Sequence, residues 1–178
     1  MRAETTKAKL ERFLSALGQR VHGPGIVYLT GGATALLHDW RTMTIDVDLK
    51  ADPEPPGLFE ALAALKDELD INVELASPDL FIPPLPDWRE RSLFIATHGR
   101  VEFYHYDLYS QALAKLQRRH ERDVRDVQSM LRDGLIRLDR LRELFTQIEP
   151  QLIRYPALDA AAFRAAVEDF CRGSQGRQ

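Results

Sequence analysis

Two features inside "YLTGGATALLHDWRTMTIDVDLK", Tyr28 to Lys50, have residue types that could do chemistry: the pair Gly31-Gly32 and the pair Asp46-x-Asp48, separated by thirteen residues. A glycine pair between a strand and a helix lets the backbone approach a phosphate and presents amides where the helix dipole favours an anion. Thr34 could add a hydroxyl there. The same dipeptide also serves as a tight turn that binds nothing. Asp46 and Asp48, two apart on a strand, project to the same side. Adjacent carboxylates repel unless a cation lies between them, and hard oxygen donors suit Mg²⁺ (or Mn²⁺) carrying a nucleotide's phosphates. Alone, the aspartates also read as solvated acids on an exposed strand face.

The surrounding pattern supplies elements able to position these groups. "GIVYL", from Gly25 to Leu29, is short and apolar, which predicts a buried strand leading into the glycines, and "ATALLHDW" predicts a short helix after them. "TIDVDLK" alternates Ile45, Val47 and Leu49 with Thr44, Asp46, Asp48 and Lys50, the period of a half-buried strand. "DINVEL" repeats the alternation, with Ile71, Val73 and Leu75 opposite Asn72 and Glu74. Leu10, Phe13, Leu14 and Leu17 recur at helical spacing after Thr5 or Thr6, and Leu58, Ala61, Leu62 and Leu65 form a second stripe, within a helix from Leu58 to Leu69.

"SPDLFIPPLPDWRERS" reads as a long irregular loop, because its four prolines remove donors and fix backbone angles. Two strands should follow, "SLFIATH" and "VEFYHY", joined at Gly99-Arg100. From Asp107 the pattern becomes helical: one helix to Leu131, a second over Leu138 to Ile148 and a third over Asp159 to Cys171, with a frayed tail "RGSQGRQ". The expected fold is α/β (α+β), with residues 1–106 as the core and 107–178 as a helical C-terminal part packed on it in one compact unit.

On a continuous helix at about 100° per residue, Lys115, Arg119, Arg122, Asp123 and Asp126 share one arc, and Leu113, Leu116, Val124, Val127 and Leu131 the adjoining one. One face packs and the other is ionic. That ionic face fits a solvated surface stitched by i,i+4 pairs, and it equally fits a site that handles phosphate.

The totals exclude several classes. A length of 178 residues suits one domain or a core with an appendage, and 44% hydrophobic with 29% charged residues argues against global disorder. A net charge of -3 provides no overall positive field for nucleic acid, although "KLQRRHERDVR" and "DWRERS" are locally basic. The single Cys171 excludes an internal disulfide. The N-terminal stretch lacks the apolar run of a signal peptide, and no run is long enough for a membrane span. The expectation is a soluble cytoplasmic protein without a membrane partner.

An apolar strand, Gly-Gly, a spacer of thirteen, then an aspartate, an apolar residue and a second acid together resemble the signature of the DNA polymerase beta-like nucleotidyltransferase superfamily. The resemblance implies a mixed-sheet nucleotidyltransferase fold, with the glycine turn on the triphosphate and Asp46 and Asp48 on catalytic metal. Downstream, Lys115-x-x-x-Arg119 and Arg122-Asp123-x-x-Asp126 look like elements of the AbiEii-like nucleotidyltransferases, toxins of type IV toxin-antitoxin systems, as do Arg41 and Thr44 ahead of the aspartates. It implies that Lys115 contacts nucleotide phosphate, with Arg119 supporting, and that Asp123 or Asp126 positions Lys115, Arg119 or the acceptor. Arg41 serves phosphate or pairs with an acid.

The superfamily's usual third carboxylate, able to accept a proton from the attacking hydroxyl, has Glu74 as its first candidate and Glu102 as its second. The activity implied is metal-dependent transfer of a nucleoside monophosphate from a nucleoside triphosphate to an acceptor (tRNA, protein or small molecule), with a cognate antitoxin as a partner. The alternative is an inactive nucleotide-binding or antitoxin-like module of the same fold. His105, in "FYHYD", and the other four histidines share no ligand spacing and read as packed or surface residues. Trp40 and Trp88 read as anchors.

Overall fold

The computed structural model describes residues 3–177. The chain divides into two units: one holds the residues up to Ser77 together with Ser92–Tyr106, the other Pro78–Arg91 together with Asp107 onward. The break at residue 106 lies where the pattern changes from strands to helices, but the proline-rich segment groups with the helical unit.

In the first unit, β1 (Thr5–Thr6) and β3 (Met43–Thr44) form a small antiparallel pair. The main sheet contains β2 (Gly25–Thr30), β4 (Asp46–Ala51), β5 (Asn72–Leu75), β6 (Leu93–His98) and β7 (Val101–His105), in the order β5-β4-β2-β7-β6. It is mixed: β4 runs antiparallel to β2 and parallel to β5, while β7 runs parallel to β2 and antiparallel to β6. α1 (Lys7–Arg20), α2 (Gly31–Leu37) and α3 (Leu58–Glu68) complete the unit.

Thr6 caps α1, accepting from the Lys9 amide at 3.3 Å. The predicted stripes of α1 and α3 are both buried, and they join Val27, Leu29, Val47, Leu49, Val73, Val101 and Phe103 in one core. That core lies on one face of the sheet. Because side chains alternate along a strand, Asp46, Asp48, Asn72 and Glu74 must share the opposite face.

Two local expectations change here. Ile45, expected on the buried face with Val47, is 60% exposed. The strand is interrupted after Thr44: Met43–Thr44 pairs with Thr5–Thr6, and β4 starts only at Asp46, so Ile45 occupies the bend between two sheets. Leu75 is likewise exposed, at the end of edge strand β5.

The second unit begins with the proline-rich segment, which is not wholly irregular: Pro78–Leu80 forms a 3₁₀ turn and Trp88–Arg91 a short helix, α4. Ile82, Leu85 and Trp88 are buried, so spaced apolar residues overrode the prolines. The helix expected from Asp107 to Leu131 is instead two, α5 (Leu108–Arg118) and α6 (Glu121–Arg132), because Arg119 takes a left-handed conformation, φ 61°, that ends α5. α7 (Leu138–Ile148) has the expected bounds, and α8 (Ala160–Ser174) extends into the tail expected to fray; the final residue of that tail lies outside the described residues.

Asp107 organises the start of α5. Its carboxylate accepts from the amides of Tyr109 and Ser110, from the Ser110 hydroxyl at 2.7 Å, and from Arg91 at 3.1 and 2.9 Å. Asp107 is 1% exposed, so removing it costs the cap and leaves the Arg91 charge without its carboxylate. We expect Asp107→Ala to lower unfolding stability by about 3 kcal/mol in urea titrations, toward the low end for a broken buried pair because Arg91 retains some solvent.

Candidate functional site

Strand β4 lies between β2 and β5, and its register sets the site. Asp48 pairs with Thr30 on one side and Glu74 on the other; Asp46 pairs with Asn72. Three acids therefore sit on adjacent positions of one sheet face. Glu74 lies directly across from Asp48. Glu102 lies on β7 opposite Ile26, two strands from β4, and accepts from the Tyr104 hydroxyl at 3.0 Å.

The glycines press on this acid row from the β2 side. Gly31 has φ +61°, a conformation that penalises any side chain, and a Cβ there would stand 2.8 Å from Asp48 Oδ2. A Cβ on Gly32 would fall 2.1 Å from Thr44 Oγ1. Thr44 in turn donates to the Asp46 carbonyl at 3.1 Å. The glycines are thus the first two residues of α2, not a turn ahead of it, and they let that helix start against Asp48 and Thr44.

Asn72 joins the acids. Its Nδ2 donates to Asp46 Oδ1 and, at 3.3 Å, to Glu74 Oε1. Alternation alone puts Asn72 on the polar face; the sequence signal for a part in the site is its i,i+2 relation to Glu74.

Thr34 is placed differently from expectation. It is fully buried, donates to the Leu29 carbonyl at 3.3 Å and lies 3.1 Å from His105 Nδ1, so its hydroxyl is engaged inside the core. The cause is helical geometry: three residues after Gly31, position 34 faces back over β2. His105 packs between Thr34 and His38, whose ring stacks on Trp40 at 4.6 Å. It is a packed residue, as its aromatic neighbours suggested. Trp88, likewise, is buried under the Arg89 guanidinium. Arg41 is half-buried, its amide bonded to the Ala35 carbonyl.

In the helical unit, Lys115 is 3% exposed and donates to Asp123 at 3.1 Å and to Asp126 at 2.7 Å; Arg118 adds a bond to Asp123 at 3.3 Å. These residues meet because the chain reverses at Arg119 and brings α5 beside α6, not because they line one helix. Arg119 donates to the Ala162 carbonyl, and Arg122 is exposed. The arrangement is a buried clamp in which two carboxylates fix one ammonium.

Among the described residues, no group of three or more His, Cys, Asp or Glu side chains converges as a ready-made metal cage. The donor set still fits Mg²⁺ or Mn²⁺. Magnesium is commonly held by one or two carboxylates, with substrate phosphates and water filling the remaining positions, and Asp46 and Asp48 are hard oxygen donors on neighbouring same-face positions. Among the described residues no helix is long and apolar enough to cross a membrane.

Burial, and then the His38 ring, pushes the His105 pKa down to about 3. His105 is therefore neutral in the native protein and takes a proton more readily once unfolded. Its contribution is fully present above about pH 6.5 and is lost as pH falls toward 3, at up to about 1.4 kcal/mol per pH unit. Stability profiles between pH 7 and 4 should be shallower for His105→Asn than for the wild type. Gly32→Ala should lower stability by about 1–3 kcal/mol through the clash with Thr44, and Thr44→Ala in the same chain should recover part of the loss in thermal melts.

No curated protein and no solved structure matches the chain. A family model does, over residues 8–172, spanning both units. With the strand, double glycine and paired acids assembled in one unit, the chain belongs to the family described as nucleotidyltransferase of unknown function (DUF6036).

Proposed function

We propose that the protein transfers a nucleoside monophosphate from a nucleoside triphosphate to a hydroxyl or phosphate acceptor: the acceptor oxygen bonds to the α-phosphorus, the bond to the β-phosphate breaks, and pyrophosphate leaves. The observation that carries this reading is the register that sets Asp46, Asp48 and Glu74 on adjacent same-face positions, with the glycine backbone against Asp48. Asp46 and Asp48 would hold Mg²⁺ or Mn²⁺, which supplies charge neutralisation of the triphosphate and polarisation of the reacting phosphoryl group.

In this reading the chain's own residues orient and move protons. Glu74, directly across from Asp48, accepts the proton of the attacking hydroxyl, while the Gly31-Gly32 backbone admits the phosphates close to the acids. Thr44 holds the Asp46 backbone in place. Lys115, Asp123 and Asp126 act as the scaffold of the helical unit; with its charge balanced by two carboxylates, the Lys115 ammonium is held and not offered to phosphate.

The finer assignment to the AbiEii-like toxins, with a cognate antitoxin as partner, rests on the Lys115, Arg119, Arg122, Asp123 and Asp126 motif together with Arg41 and Thr44. Growth arrest on expression, relieved by a neighbouring gene product, tests it.

A second reading is favoured by one observation. The Asn72 amide bridges Asp46 and Glu74, an arrangement that an inactive nucleotide-binding module would also tolerate. Incubation with Mg²⁺, each labelled triphosphate, and cellular RNA and protein separates the two. We expect label on an acceptor, lost to background in the Asp46→Asn, Asp48→Asn double variant. Tight nucleotide binding without transfer supports the module, and unchanged transfer by the double variant removes the proposed site.

A further inference from the structure

We infer that Asn72 is the positioning residue of this site, orienting Asp46 and Glu74 through one side-chain amide. The inference rests on the metal-nucleotide reading of Asp46 and Asp48 given above. It starts from register: on parallel strands, Asn72 is the direct neighbour of Asp46, as Glu74 is of Asp48. From that position a single nitrogen serves a carboxylate across the strand gap, at Asp46 Oδ1, and another two residues along its own strand, at Glu74 Oε1.

The residue type matters. Two carboxylates this close need a donor between them. A lysine or arginine would supply a competing positive charge, and an aspartate would add a further negative one. An amide donates without charge and has the right length to reach both oxygens from the strand. Each carboxylate is engaged through one named oxygen, which restricts its rotation. Outer partners of this kind typically govern metal affinity by about 10–100-fold.

Asn72 is half-buried at the sheet edge and contributes little to the core, so its loss should act on the site more than on the fold. The test is Mn²⁺ binding to the full chain by calorimetry, with melting of the metal-free protein in parallel. Asn72→Ala is expected to weaken Mn²⁺ binding by at least about tenfold, with a smaller fall in metal-free melting temperature than Asn72→Asp. Asn72→Asp keeps the shape but loses the donor and adds charge. Its metal-free melting temperature should fall, and saturating Mn²⁺ should raise it by more than in the wild type.

Wild-type Mn²⁺ affinity in Asn72→Ala, with binding lost in Asp48→Asn, would overturn the positioning role and leave the metal site standing. Wild-type affinity in Asp48→Asn as well would overturn the metal reading and this inference together. An Asn72→Asp protein that melts like the wild type without metal would also count against Asn72 as the group that relieves carboxylate repulsion.

Discussion

The pairing register of β4, wedged between β2 and β5, is the constraint on which the candidate site depends. Val47 and Leu49 are fully buried, and their burial holds the strand against slipping. A shift of one residue would drive Asp46 and Asp48 into the core and push both apolar side chains into water, a cost of several kcal/mol before any desolvation of the carboxylates is counted. The hydrophobic effect therefore positions the acids without touching them. Antiparallel pairing on one side brings the start of α2 to Asp48, and parallel pairing on the other brings Asn72 and Glu74 to Asp46 and Asp48.

The same logic accounts for the double glycine. Its evident structural duty is steric: α2 must begin where a carboxylate and a threonine already stand, and only residues without Cβ fit. Closeness of backbone to acid is then a by-product of that packing. Buried charge elsewhere follows the opposite pattern. Lys115 with Asp123 and Asp126, and Asp107 with Arg91, are surrounded by compensating partners, as groups removed from water must be. The sheet face instead sets Asp46, Asp48 and Glu74 on adjacent positions, with the Asn72 amide between two of them and Lys50 at the next same-face position of β4.

How much was legible in the chain can be judged from particular residues. The stripes of α1 and α3 and the alternation in "INVE" are local patterns with a period of their own, and the structure follows them. Ile45 and Arg119 are where local reading failed. Ile45 continues an alternation whose strand has in fact ended, because β3 is claimed by Thr5–Thr6, far away in sequence. Arg119 interrupts an unbroken helical pattern with a left-handed turn that no glycine announces. Thr34 looked available because it follows Gly31-Gly32 closely, yet a residue one turn into a helix faces whatever the helix packs on.

The sequence by itself determined which residue types would cluster: period-two alternation puts Asp46 with Asp48 and Asn72 with Glu74, and the apolar strand, Gly31-Gly32 and paired acids together resemble a nucleotidyltransferase signature. These are properties of neighbouring residues, set by backbone geometry. Only the tertiary structure decided that the two strands lie side by side with Asp48 opposite Glu74, that Glu102 stands two strands away, and that one amide serves two carboxylates. Strand order and register are long-range choices, made by the burial of the whole apolar face at once, and no local period encodes them.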